Sequence, residues 1–286
     1  MVKRTKGFEE MKKTKIHVFL DEGVRKKARE KSLERGDKSR TLYASDFGFC
    51  MRRTWYQFFP QEYPVEEADA RVLRIFDNGD DVHVRLGGYL KMAPEIDFRE
   101  EIDVPRDELE VHGRCDGICT VDARATVVEF KSINKKVMTE PKEEHVGQLM
   151  WYLSMWRRLR KELNEDFGFE EGDVLTEADV VGESASGLML QDLDGIQRWL
   201  LFTQGEIQGE IVYESKPTQD FFTFPIEYDP EQEAKVRQWF VALKWFIENR
   251  HRPPVKYDGG KYPCSWGQGS AYAQCPFFKY CYGDGS

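Results

Sequence analysis

Residues 126–133 read TVVEFKSI, and this stretch constrains the fold more than any other. β-Branched Thr, Val and Ile together with Phe favour an extended backbone. Alternate residues of a strand share a face, so Val127, Glu129 and Lys131 lie on one side and Val128, Phe130 and Ser132 on the other. A Glu and a Lys adjacent on one face, between apolar neighbours, is unusual for a half-buried strand unless something binds there. Residues 98–104 (FREEIDV) and 109–121 (LEVHGRCDGICTV) also have strand character, and the turn-like segment 122–125 joins the latter to TVVEFKSI. Such a hairpin brings Asp116 beside Glu129.

The residue types suit one chemistry in particular. Phosphodiester hydrolysis uses a hard cation to polarise a phosphoryl oxygen and to acidify water. Asp116 and Glu129 offer the oxygen ligands that Mg²⁺ and Mn²⁺ prefer, and Lys131 can orient or deprotonate water and offset developing negative charge. The D-x12-E-x-K spacing alone also fits a surface hairpin with cross-strand charge pairs, because 33% of the chain is charged. His83, in the helical context NGDDVHVRL, is a candidate third ligand or a satisfied histidine. Gln148 and Tyr152, in EHVGQLMWYLSMW, share a helix face.

Around the hairpin the pattern alternates between helix and strand. Ser45 can cap a helix through Cys50 to Phe59; a second helix is expected over 66–92, broken near Asn78-Gly79, and a third over 143–161. Strands are expected at 187–193, 209–215 and 220–228, followed by a helix from Asp229-Pro230 to about Asn249. Residues 161–186 hold nine acidic residues and one Lys and read as an acidic surface insertion. The fold class expected is α/β, a central mixed sheet flanked by helices, as one interwoven domain over 41–286 behind a basic N-terminal arm, 1–40.

Charge supports that division. The formal charge of −9 separates into +7 over residues 1–40, from 14 Lys/Arg against 7 Asp/Glu, and −16 over the rest. A basic arm can bind phosphates while the body stays acidic. Apolar runs fall short of the ~20 residues that cross a bilayer, and the N-terminus lacks the apolar stretch of a secretory signal. The expected location is cytoplasmic, with no membrane partner.

Taken in order, the Gly-x-x-x-His helix, HGRCDGI, VVEFKSI and QLMWY resemble the motif series of RecB-type PD-(D/E)XK nucleases. The resemblance implies a restriction-endonuclease-like core and a DNA substrate, single-stranded or at ends. It implies an exonuclease, with Asp116, Glu129, Lys131, Gln148 and Tyr152 as catalytic residues and His83, Asp116 and Glu129 holding Mn²⁺ or Mg²⁺. Arg52, Arg53, Arg157 and Arg158, with Arg160, are expected near phosphates, and Trp55, Tyr56, Trp151 and Trp156 could stack bases or pack the core. A catalytically quiet DNA-binding adaptor of the same fold is the alternative, and the intact triad weighs against it.

Six cysteines remain: Cys50, Cys115, Cys119, Cys264, Cys275 and Cys281. In a reducing compartment, clustered cysteines suggest metal or cluster ligation. Zn²⁺ and iron–sulfur clusters usually take four; the tail supplies three. Resemblance to the iron–sulfur subgroup of RecB-like nucleases, which includes CRISPR-associated adaptation nucleases and AddB-type nuclease domains, implies that Cys50 joins Cys264, Cys275 and Cys281 around a 4Fe-4S cluster. Residues 41–60 and 255–286 would then form one subregion tying the chain ends. Zn²⁺ is the other occupant of such a site, and Cys115 and Cys119 read as packing residues.

Overall fold

The central strand of the computed structural model is the one TVVEFKSI forms. The structure describes residues 15–35, 40–65, 68–170, 193–255 and 275–283, with 184, 189 and 191. β5 (Arg124–Ile133) pairs antiparallel with β4 (Arg114–Val121) and parallel with β6 (Gln204–Ser215). β2 (Arg99–Asp103) and β7 (Phe221–Ile226) close the two edges, giving a mixed sheet of order β2-β4-β5-β6-β7. β1 (Leu42–Tyr43) and β3 (Val111–His112) form a separate parallel ribbon. Asp122 and Ala123, with φ of 49° and 65°, make the tight β4–β5 turn. Positive φ at both central residues matches the right-handed strand twist.

Both faces of β5 are covered. On one side α3 (Ala70–Lys91) packs through Val82 and Leu86 against Phe98, Cys119, Val128 and Phe130. On the other, α4 (Glu143–Phe167) buries Leu149, Met150, Leu153 and Met155 in the main core with Val127 and Ile211. α5 (Gly195–Phe202) and α6 (Pro230–Glu248) pack against α4. The parallel β5–β6 step is the α4–α5 crossover, the connection that parallel neighbours require. Among the described residues, no helix is long and apolar enough to cross a membrane.

The expectations from sequence need several adjustments. Asn78-Gly79 does not break α3; a helical Gly costs about 1 kcal/mol against Ala, and packing on both sides offsets it. Residues 15–35 of the basic arm form a helix, α1 (Lys15–Arg35), lying along α3. Lys27 pairs with Asp77, Lys31 with Asp80 and Asp21 with Arg74, so these cations meet acidic groups of the chain itself. α4 outruns its expected end, entering the acidic stretch until Gly168 stops it at φ 78°; residues 171–183 lie outside the described residues. The strand expected at 187–193 lies largely outside the described residues, and α5 begins just after it. Asp194 caps α5 by accepting from the N–H groups of Ile196 and Gln197, while Gln197 accepts in return from the Asp194 N–H.

α2 (Met51–Gln57) meets the C-terminal part of the described chain, lying beside α6 and α7 (Phe278–Tyr282). Arg52 donates to the Pro253 carbonyl at 2.6 Å, Trp55 to Phe246 at 3.1 Å and Tyr56 to Tyr280 at 2.8 Å. Tyr56 also stacks on Phe277.

Gly147 shows how closely this assembly is fitted, since a Cβ there would come within 2.1 Å of two atoms of the Phe47 ring. Gly147→Ala should therefore cost about 1–3 kcal/mol through overpacking, read as a lowered urea midpoint with unchanged slope.

Candidate active site

Four chain segments meet at one cleft of about 1140 Å³, and His83, Asp116, Glu129, Lys131, Gln148 and Tyr152 all line it. Asp116 enters from β4, Glu129 and Lys131 from β5, Gln148 and Tyr152 from α4, and His83 from α3. The fold thus brings together at one cleft the six residues that the motif resemblance implied.

Asp116 accepts the Phe130 N–H at 2.6 Å and lies 2.9 Å from His83 Nδ1. Glu129, only 2% exposed, pairs with Lys131 and accepts from Gln148 Nε2 at 2.7 Å through Oε1. Gln148 also donates to the Tyr152 hydroxyl at 2.8 Å, which donates to the Arg114 carbonyl at 3.2 Å. The second oxygen of Glu129, Oε2, is buried with no hydrogen-bond partner.

Electrostatics follow from that crowding. Burial, with the Asp116 charge, pushes the Glu129 carboxyl up to about 7 against the opposing pull of Lys131 and His83. Burial acts to lower Lys131, but Glu129 and Asp116 outweigh it and hold the amine above its usual value. The same contest at His83 is won by Asp116, so the imidazole is raised. At the far edge, burial and the Lys131 and Lys142 charges depress His145 to about 3. A neutral His145 can accept from the Tyr213 hydroxyl, 2.8 Å away.

His83, Asp116 and Glu129 offer the N and O donors that suit a divalent cation. Among the described residues, no three His, Cys, Asp or Glu side chains are arranged to hold a metal ion as they stand. The carboxylates spend their other contacts internally, Asp116 on His83 and Phe130 and Glu129 on Lys131 and Gln148. The orphan Oε2 is the feature a cation would satisfy, since an unpaired buried acceptor costs about 1–3 kcal/mol.

Other expected positions fall elsewhere. Trp55, Tyr56 and Trp151 are core residues away from the cleft, at most 4% exposed, and Trp156 lines the cleft but is only 2% exposed. None of the four arginines expected at phosphates lines the cleft. Arg52 holds the Pro253 carbonyl, Arg53 lies over the Phe49 ring, Arg157 pairs with Glu206 and Arg158 with Asp107 and Glu108. Arg160 holds the carbonyls of Thr203 and Gly205. Cys115 and Cys119 are buried thiols. Cys50, Cys275 and Cys281 are half-buried thiols; burial raises the Cys275 thiol, and the charges of Cys50 and Cys281 add to it. Cys264 lies outside the described residues. The cleft also holds Tyr43, Arg106, His112 and Arg114, which sequence reasoning passed over. The alternation that selected Asp116 points equally to Arg114.

The sequence model of the PD-(D/E)XK nuclease superfamily matches residues 14–282. No curated protein matches the chain. Among solved structures the chain is similar to one described as the crystal structure of SSO0001, at 16% identity over 85% of this chain and 90% of that one, TM-score 0.48. It is also similar to LHK-Exo, an alkaline exonuclease from Laribacter hongkongensis, at 12% identity over 74% of this chain and 89% of that one, TM-score 0.41. LHK-Exo in complex with dAMP gives 13% identity over 74% and 89%, TM-score 0.44.

Tyr152→Phe removes the hydroxyl that both receives the Gln148 amide and reaches the Arg114 carbonyl. It should lower stability by about 1 kcal/mol, the net worth of a buried hydrogen bond, measured by thermal or urea unfolding.

Proposed function

Because this chain belongs to the PD-(D/E)XK nuclease superfamily, we propose that it is a metal-dependent deoxyribonuclease, an exonuclease acting on single-stranded DNA or DNA ends. The observation that carries the reading is the unpartnered Glu129 Oε2, buried in the cleft that Asp116, Lys131 and His83 share.

His83, Asp116 and Glu129 would hold Mn²⁺ or Mg²⁺, which when bound supplies Lewis acidity at a phosphoryl oxygen and lowers the pKa of water. Lys131, kept protonated by its two carboxylate neighbours, places a fixed positive charge where negative charge develops on the phosphate. Gln148 holds Glu129 in one orientation, and Tyr152 fixes Gln148. The acidic pair sits deep, with Asp116 15% exposed and Glu129 2%, a depth that suits a single strand or a frayed end.

For the second metal centre the proposal is a 4Fe-4S cluster on Cys50, Cys264, Cys275 and Cys281. What supports it is the approach of Cys50 and Cys281 to Cys275, and thiolates are the donors such clusters use. Its role is structural, since hydrolysis needs no redox step.

End-labelled single- and double-stranded DNA incubated with Mn²⁺ or Mg²⁺ tests the activity. EDTA should abolish cleavage, and Asp116→Ala or Glu129→Ala should lower the rate at least a thousandfold, about 4 kcal/mol of barrier, with circular dichroism unchanged. Wild-type rates in either variant would sink the assignment. Lys131→Ala should lose turnover yet keep Mn²⁺ affinity by calorimetry, because an ammonium is not a ligand; a large loss of affinity would make it an organiser of the site instead. For the cluster, Ala at Cys50, Cys264, Cys275 or Cys281 should lower iron content, brown colour and melting temperature together, whereas Cys119→Ala should leave the colour intact. A colourless protein carrying zinc would reassign that site.

A further inference from the structure

Arg114 stands on β4 just ahead of Asp116, separated only by Cys115, and it lines the same cleft. Two carboxylates of β2 aim its guanidinium: Nε donates to Asp103 at 2.9 Å and Nη1 to Glu101 at 3.0 Å. Among the described residues Nη2 makes no hydrogen bond. The side chain is 56% exposed, and the two carboxylates are more exposed still, at 79% and 65%. Water screens charges in that position, and the two acids fix the guanidinium's orientation while Nη2 stays open.

Glu101 carries a second signal. Register places it across from Asp116, because Glu100 pairs with Gly117 and Ile102 with Cys115. Its φ is 55°, left-handed backbone inside a strand. A non-glycine residue keeps such a conformation where the surroundings over-determine it, most often at functional sites. Here the departure from strand geometry coincides with a carboxylate reaching Arg114.

Beyond Arg114 the cleft continues onto the β1–β3 ribbon. Tyr43 and His112 are register partners there, with ring centroids 6.0 Å apart and planes at 56°. His112 Nε2 lies 3.1 Å from Arg106 Nη1. Asp116, Arg114 and His112 stand at alternate positions along the chain, and all three line the cleft with Tyr43.

We propose that Arg114 and the Tyr43–His112 pair form a further nucleotide subsite, receiving the phosphate and base that adjoin the scissile position of single-stranded DNA. The proposal rests on the nuclease reading of the cleft. A planar guanidinium with Nη2 open can donate to a phosphate oxygen, and aromatic faces take unpaired bases with little regard to sequence. A base inside a duplex is not free to reach them.

Fluorescence anisotropy of a fluorescein-labelled oligothymidylate of about twelve nucleotides, titrated in EDTA at several salt concentrations, separates binding from cleavage. Arg114→Ala should weaken binding at least tenfold and reduce the slope of log K against log salt by about 0.7, the release expected for one single-strand phosphate contact. Arg114→Lys should recover the slope, and Tyr43→Leu should weaken binding with the slope unchanged. Should Arg114→Ala fail to fold by circular dichroism, Tyr43→Leu and His112→Ala carry the test. Wild-type affinity and slope in the folded variants, or no binding by the wild type at low salt, would overturn the subsite. Cleavage by the wild type with an unaffected Arg114→Ala would leave the nuclease standing without the subsite; binding without cleavage in Mn²⁺ would do the reverse.

Discussion

At Asp116 two antiparallel strands part, and the candidate site depends on that parting. The β4–β5 ladder runs from the tight turn as far as the Gly117–Val128 pair. One residue further on, the Asp116 carboxylate takes the Phe130 N–H in place of a backbone carbonyl. A side chain thus satisfies a buried amide that the sheet has released, and backbone N–H groups seldom go unpaired. On the other edge β2 departs from strand geometry at Glu101, opposite the same residue. Asp116 is therefore held by its own sheet while its other oxygen faces the cleft residue His83.

The layers on either side make this opening electrostatically expensive and therefore selective. Glu129 stays beneath α4 because Gln148 and Lys131 engage one of its oxygens, while burial and Asp116 resist its ionisation. From the opposite layer α3 brings His83, and that helix is fastened by Arg85 donating to buried Glu214 of β6 as well as by apolar packing. Neither layer alone supplies the donor set. Breaking one partner of such a buried group leaves the other uncompensated, so His83, Glu129 and their supports form a unit.

Much of this was legible in the sequence where local period and chemistry agreed. TVVEFKSI has the composition and alternation of a strand and Gln148 and Tyr152 have helical spacing, but it was the resemblance to the nuclease motif series that joined them and His83 into one set. Asp229-Pro230 announced α6 through ordinary capping chemistry, and Asp229 does accept from the N–H groups of Glu231 and Gln232. Legibility failed where tertiary partners decide. Lys27 and Lys31 look like free phosphate binders until α3 supplies Asp77 and Asp80. Arg157 and Arg158 likewise carry no mark of the acids that take them. α5 was missed although Asp194 and Gln197 form a capping box, because the Gly195 that follows reads as loop. Arg114 was passed over because its importance lies in a left-handed residue on a neighbouring strand, which no local pattern reports.

The contact between Tyr56 and Tyr280, 224 positions apart, sets a schedule for synthesis. At roughly 5–20 residues per second, Tyr280 is made some ten to forty-five seconds after Tyr56. Through that interval Tyr56 lacks the Tyr280 carbonyl, and for most of it Trp55 lacks the Phe246 carbonyl and Tyr56 the Phe277 ring. Contacts of such long range form late in folding as well. The strands that line the cleft, meanwhile, lie between these two tyrosines and leave the ribosome before the second of them. A growing chain can pair β4 with β5 while the seam that joins its distant segments is still open, so sheet and closure are separate events in time, and the hazard of sticky, unfinished intermediates belongs to the second.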